Sequence, residues 1–268
     1  MEDYSIWKPV EIGVGTCASW NLGRLRLWAE RYEQEWHLLP IYDDGEEDAV
    51  TGFAVCGKAE KPSSEDRKHY LLKDGPWATP LPVMLDRPVI VRPDRALVLL
   101  PGEKARFFIS LPVWFRLLIG KAAGAESNRK LQEFPIVPMA NAWFGDPVSG
   151  ELCYFIAARL YLDFEQIPFS SVHAVCPLWI SNESDKDLSF DRICLHTEFL
   201  SIYRGMSRFW TNEVNVTFKG SDQETRLQPS KSAPTLDGES KLVTGSRQLL
   251  EHLYFKKTFG LLKQFTGF

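Results

Sequence analysis

Arg106-Phe107-Phe108-Ile109-Ser110-Leu111-Pro112-Val113-Trp114-Phe115 is the stretch whose reading decides the fold class. Bulky aromatic and β-branched side chains suit a pleated, half-buried surface, and a proline two residues before a tryptophan marks the end or edge of a strand. Val175-Cys176-Pro177-Leu178-Trp179-Ile180 repeats the Pro-x-Trp core. Both runs read as buried strands beside turn chemistry, Pro101-Gly102-Glu103 before the first and Asn182 to Asp187 after the second. Flanked by aliphatics, Trp114 and Trp179 are expected in the core.

The same idiom extends in both directions. Upstream, Leu25–Tyr32 and Glu35–Tyr42 alternate apolar and polar residues around a short polar link, as a β-hairpin does, and Thr51–Cys56 reads as a short strand. Pro88–Arg92, Ala96–Leu100, Lys104–Leu111 and Val113–Leu118 are apolar runs separated by proline-bearing turns. Lys121–Glu133 reads as a short helix or a loop, and strands resume at Phe134–Val137, Ala142–Phe144 and Leu152–Leu162. The last third adds His173–Ile180, Leu188–Leu195, Glu198–Tyr203 and Val214–Phe218, followed by a Ser-, Thr-, Pro- and Gly-rich stretch, 220–245, that reads as a long loop.

From Ser246 onward proline disappears, and Leu250, Tyr254, Leu261, Phe265 and Phe268 recur at three- and four-residue steps beside Lys256, Lys257 and Lys263. That spacing predicts a basic amphipathic helix. The reading is a mainly β protein: an N-terminal hairpin region and linker (1–80), an antiparallel β-sandwich core (81–245) of one or two sub-sandwiches meeting near 165–170, and a C-terminal helix (246–268). No βαβ rhythm appears.

Composition narrows the function classes. Nine Trp and seventeen Phe in 268 residues favour a strand-rich core. The net charge of −4 conceals alternation along the chain: residues 1–60 carry 5 basic and 12 acidic groups, 61–130 carry 13 and 7, 131–200 carry 3 and 10, and 201–268 carry 10 and 6. Alternating signs read as self-complementary packing or solvated faces, whereas a nucleic-acid binder would be basic overall, so no nucleic-acid partner is expected. Five widely spaced cysteines with no C-x-x-C pair read as reduced core thiols. The acidic start, Met1-Glu2-Asp3-Tyr4, lacks the basic and apolar regions of a secretory signal, and no apolar stretch approaches the roughly 20 residues that span a bilayer. A cytoplasmic location is the expectation.

Candidate chemistry is sparse. His196-Thr197-Glu198 is the best catalytic or metal-binding pair, since residues i and i+2 of a strand share a face. The competing reading is a solvated strand face, and a third ligand would have to come from His173 or Asp163. Carboxylate pairs such as Glu198 with Glu213, or Asp163 with Glu165, could serve glycoside hydrolysis, but nothing selects among them. There is no G-x-S-x-G elbow, and Gly13-Val14-Gly15 lacks the third glycine of a phosphate loop. No cofactor or metal is expected.

Partner binding has candidates in Arg204, Arg208, Phe209 and Trp210, a composition enriched at interfaces, against a plain strand connection with its rings tucked under the sheet. In the C-terminal segment Lys256, Lys257 and Phe265 would serve a partner or a peripheral membrane contact, against docking on the protein's own core. The preferred function is a non-catalytic protein-interaction or assembly module at a membrane-associated complex. The alternative is a carbohydrate-active or metal-assisted hydrolytic protein using the face around His196 and Glu198.

The strings Leu99-Leu100-Pro101-Gly102-Glu103, Phe108 to Trp114, Phe199 to Tyr203 and Trp210 to Val214 resemble the uncharacterised prokaryotic family known as domain of unknown function 432, over about Leu22 to Arg247. That resemblance implies a prokaryotic, cytoplasmic setting and supplies no catalytic residues.

Overall fold

The computed structural model describes residues 5–43, 52–56, 66–73, 75–145, 147–148, 150–220, 225–249 and 259–261. In chain order the strands are β1 (Val10–Glu11), β2 (Cys17–Leu22), β3 (Leu25–Arg31), β4 (Glu35–Tyr42), β5 (Gly52–Cys56), β6 (Lys68–Leu71), β7 (Trp77–Val83), β8 (Val89–Arg92), β9 (Leu97–Leu99), β10 (Lys104–Pro112) and β11 (Trp114–Gly120). They continue as β12 (Arg129–Pro135), β13 (Ala140–Phe144), β14 (Glu151–Ala157), β15 (His173–Asn182), β16 (Leu188–Leu195), β17 (Ile202–Arg204), β18 (Phe209–Thr211), β19 (Val214–Phe218), β20 (Arg226–Pro229), β21 (Lys241–Thr244) and β22 (Phe259–Leu261). The protein is mainly β, and helix among the described residues is confined to single 3-10 turns such as Phe164–Gln166 and Thr197–Phe199. No helix among them is long and apolar enough to cross a membrane.

The chain divides into two compact units, each assembled from separated segments: residues 1–83 with 112–138, and residues 84–111 with 139–268. The first unit holds a five-stranded sheet ordered β5-β2-β3-β4-β6 and a four-stranded sheet ordered β1-β7-β11-β12. Gly23, at φ +56°, takes the first central position of the two-residue turn between β2 and β3, where a non-glycine residue would be strained. Along β11 the buried positions Phe115, Leu117 and Ile119 alternate with half-buried ones, so one face carries the core. Trp20 of β2 and Phe115 of β11 meet at 5.6 Å between ring centroids, joining the two sheets.

In the second unit, one sheet is ordered β20-β19-β15-β18-β17-β21 with β10 also on β15, and another runs β13-β14-β8-β16-β22 with β9 also on β16. The antiparallel expectation needs correction here, because β15 pairs in parallel with β18 and β19, and β14 pairs in parallel with β8. A strand with neighbours on both edges and cover on both faces reads as a continuous apolar run, as β15 does from Ala174 to Leu178 before burial alternates toward Asn182.

Four further expectations are corrected. Residues 129–133 form the start of β12, so the stretch read as a helix or loop is in part a strand. The long loop at 220–245 contains β20 and β21. Within the expected C-terminal helix, Phe259–Leu261 is a strand paired antiparallel with β16; of the apolar residues whose spacing suggested a helix only Leu261 falls in it, the others lie outside the described residues, and Gly260 weakens a helix. Finally, Trp114 and Trp179 are half-buried and not core residues. Trp179 is covered by cations, with Lys104 Nζ at 4.4 Å and the Arg106 guanidinium carbon at 5.2 Å from its ring centroid.

Candidate metal centre

The site is built where β14 and β16 flank β8. Cys194 lies opposite Ile90 across the β8–β16 ladder, and Phe155 lies opposite Ile90 on the other side. Period-two geometry then places Glu151 with Cys153 on β14, and puts His196 just beyond the end of β16, two residues after Cys194. Cys153 and Cys194 are fully buried with Ile90 and Phe144 in one apolar cluster.

His196 does not sit in a strand as its spacing suggested. It caps the 3-10 turn Thr197–Phe199, and the turn brings its side chain to Glu198. That turn is pinned from several directions: Thr197 Oγ1 donates to the Arg87 carbonyl (2.8 Å), Leu200 N to the Thr197 carbonyl (3.0 Å), and the Arg247 and Gln248 amides to the Glu198 carbonyl (2.9 and 3.1 Å). Arg247 Nε also donates to the Met84 carbonyl at 2.7 Å, so the start of the C-terminal segment docks on its own unit.

The side chains converge. His196 Nδ1 is 3.1 Å from Glu198 Oε1, and Nε2 is 3.4 Å from Glu151 Oε1, a separation of an ion pair rather than of a well-aligned hydrogen bond. The same Glu151 oxygen lies 3.5 Å from Cys194 Sγ, and the two sulfurs are 3.8 Å apart. One ligand atom from each of Glu151, Cys153 and Cys194 falls within 4.8 Å of the other two. A tetrahedral zinc with sulfur arms of about 2.3 Å and oxygen arms of about 2.1 Å has an S···S edge of about 3.8 Å and an S···O edge of about 3.6 Å. The Cys153–Cys194 and Cys194–Glu151 edges match those values.

Electrostatics ties the groups together. Burial opposes charge on His196, yet Glu151 and Glu198 outweigh it and raise its pKa from 6.5 to about 9. Burial also works against the Glu151 carboxylate, and the His196 imidazolium reverses this and holds its pKa below the ordinary value. The hydrogen bond with Cys153, followed by burial, holds the Cys194 thiol well above its ordinary range. A metal binding here would have to displace that proton.

The sequence pointed to His196 and Glu198, and the structure brings them together. The third partner comes from neither residue considered for it: Asp163 caps the Phe164–Gln166 turn by accepting from Glu165 N, and His173 bonds Ser170 Oγ at 2.8 Å. Glu151, Cys153 and Cys194 were missed, although Glu151-x-Cys153 and Cys194-x-His196 are both period-two pairs of ligand-type residues.

The partner-binding candidates are placed as follows. Phe209 and Trp210 are buried, and Trp210 Nε1 donates to Asp237 Oδ1 at 2.9 Å. Arg208 donates to the carbonyls of Phe164 and Ile167. Arg204 is exposed on β17. Lys256, Lys257 and Phe265 lie outside the described residues. A cavity of about 440 Å³, lined by residues including Arg95, Phe107 and Arg159, shares no residue with the thiol cluster.

No curated protein and no solved structure matches the chain. A family model matches residues 6–263, nearly the whole length, and the chain therefore belongs to the family described as protein of unknown function (DUF432).

Proposed function

We propose that the second unit holds a zinc ion on Cys153, Cys194 and Glu151, with His196 and Glu198 orienting the carboxylate, and that the protein is a metal-assisted hydrolytic protein. The observation that carries this reading is the meeting of two thiols and a carboxylate oxygen, with the Cys153–Cys194 and Cys194–Glu151 separations at tetrahedral edge lengths and the third within 4.8 Å. Three protein donors leave a fourth position, the count of catalytic rather than structural zinc, and a bound zinc would lower the pKa of a water there to about 7. The His196 contact to Glu151 is of the kind that fixes a ligating carboxylate and sharpens its affinity for metal.

A disulfide is the competing use of the thiols. Cys153 and Cys194 sit on strands separated by β8. Their sulfurs stand 3.8 Å apart as free thiols, well beyond the roughly 2.05 Å of a disulfide bond. The free thiols Cys17, Cys153, Cys176 and Cys194 support a reducing compartment such as the cytoplasm. In the first unit the Trp20–Phe115 contact supports reading its two sheets as a sandwich. The interaction-module reading draws less support, because its aromatic anchors, Phe209 and Trp210, are inside the second unit.

Cobalt(II) titration of the full chain tests the centre. The expected result is a thiolate-to-cobalt charge-transfer absorption that Cys153→Ser and Cys194→Ser each remove. Cobalt binding with no thiolate absorption, or an absorption that survives both substitutions, would contradict the assignment. Water activation is tested by zinc-dependent hydrolysis of an activated ester, expected in the parent and absent in Cys194→Ser.

A further inference from the structure

The first unit carries a second convergence of ligand-type side chains, built by different strands from different residues. Glu35 and His37 stand two apart on β4 and so share a face, and His69 of β6 lies directly opposite His37 in the antiparallel register. His37 Nε2 is 3.0 Å from Glu35 Oε1, and His69 Nδ1 is 3.9 Å from Glu35 Oε2. One ligand atom from each of the three residues lies within 4.8 Å of the other two. The His37 and His69 rings are 3.9 Å apart between centroids, and Tyr32 backs His37 at 4.3 Å.

We infer that Glu35, His37 and His69 form a binding site for a borderline divalent transition ion, zinc foremost, independent of the thiol centre in the second unit. A plain ion-paired surface network is the alternative, and His37 separates the two. It is 8% exposed, and among the described residues neither ring nitrogen makes an aligned hydrogen bond, the Glu35 approach being an ion-pair contact only. A buried imidazole without hydrogen-bond partners is costly unless a ligand satisfies it, and here its Nε2 already stands beside the carboxylate that would share the ligand.

The donor set defines the ion. Two imidazoles and one carboxylate select zinc and its first-row neighbours, whereas calcium and magnesium take all-oxygen sets. Burial is graded across the site: His37 is inside, the Glu35 side chain is 32% exposed and the His69 side chain 56% exposed. The remaining coordination positions therefore fall on the His69 side, where water or a small ligand can enter. Rotation of the exposed His69 ring is the adjustment needed, and it costs little packing.

Zinc affinity of the full chain, measured against a chromophoric chelator, tests the site. Because His69 is exposed, His69→Ala is expected to fold as the parent by far-UV circular dichroism. It should weaken one zinc equivalent by at least about 10-fold while leaving the cobalt–thiolate absorption of the other centre unchanged. Lys68→Ala, on the adjacent and opposite-facing position of β6, should leave both equivalents intact. Zinc should also shift the imidazole nitrogen resonances of His37 and His69 in the parent. Parental zinc affinity in His69→Ala, equal loss in Lys68→Ala, or unshifted His37 and His69 resonances at saturating zinc would overturn the inference, whatever the fate of the thiol centre.

Discussion

Replacing His196 by alanine isolates what the imidazole does between two carboxylates. The ring is 2% exposed, with Glu198 on one nitrogen at 3.1 Å and Glu151 on the other at 3.4 Å, and Glu198 is itself only 6% exposed. Removing the cation leaves the Glu198 carboxylate buried without its partner, a change that costs about 3–5 kcal/mol. The raised pKa gives a second figure: a rise from 6.5 to about 9, at about 1.4 kcal/mol per pH unit, corresponds to about 3 kcal/mol. The two figures agree in order of magnitude.

The pH dependence follows from the signs. His196 has a folded pKa above its unfolded value, so its contribution is complete below pH 6.5 and is lost as pH rises through about 9. Glu151 is lowered from 4.5, so its contribution is present above that pH and is lost as pH falls through the depressed value. In the metal-free parent this pair therefore stabilises fully between about pH 4.5 and 6.5 and fades on the alkaline side. Urea unfolding followed by far-UV circular dichroism across pH 6–9 is the assay. His196→Ala should lose about 3–5 kcal/mol at pH 6, with the deficit shrinking toward pH 9. Replacing the pair together, His196→Leu with Glu198→Met, should recover most of the loss, since a buried ion pair exchanged for apolar groups of similar volume is close to neutral. A His196→Ala deficit under about 1 kcal/mol at pH 6, or one that is the same at pH 9, would refute the reasoning.

Other positions give independent checks. Gly75 has φ +56°, and a Cβ there would run into the Gly120 carbonyl, whereas Gly102 at φ +77° faces open space; Gly75→Ala should cost more than about 3 kcal/mol and Gly102→Ala about 1 kcal/mol, read as thermal-unfolding shifts. Asn212 is buried, accepts from Ser201 N at 2.6 Å and donates to the Ser230 carbonyl at 2.7 Å; Asn212→Leu should cost about 2–4 kcal/mol in urea unfolding, because both backbone groups lose their partner. Gly260 pairs with Arg192 in the β16–β22 ladder; Gly260→Pro should raise amide exchange across Phe190–Ile193 by about 10-fold or more, and unchanged protection would argue against that edge strand.

The strand-rich class was legible because its signal is local. Runs such as Lys104–Leu111 and Leu188–Leu195 carry apolar residues bounded by Pro, Gly and Asp, and they fold as strands with nearly those bounds. Pairing order was not legible, because β14 and β16 come from segments some 40 residues apart and meet only through β8. For the same reason His196 and Glu198 could be nominated from chemistry two residues apart, while Glu151 and Cys153 could not be connected to them. The cysteines read as reduced core thiols because they are widely spaced with no C-x-x-C pair; only the register across Ile90 brings two of them within 3.8 Å. Sequence left two readings of Phe209 and Trp210 open for a complementary reason: the composition of an interface hot spot and that of a core strand are the same, and the Asp237 side chain that accepts the indole N–H lies 27 residues downstream.

The most direct test of the central claim is zinc X-ray absorption on the full chain carrying His69→Ala, loaded with one equivalent of zinc. The account predicts two sulfur scatterers at about 2.3 Å with oxygen or nitrogen at about 2.0–2.2 Å. A spectrum with only oxygen and nitrogen scatterers would contradict it.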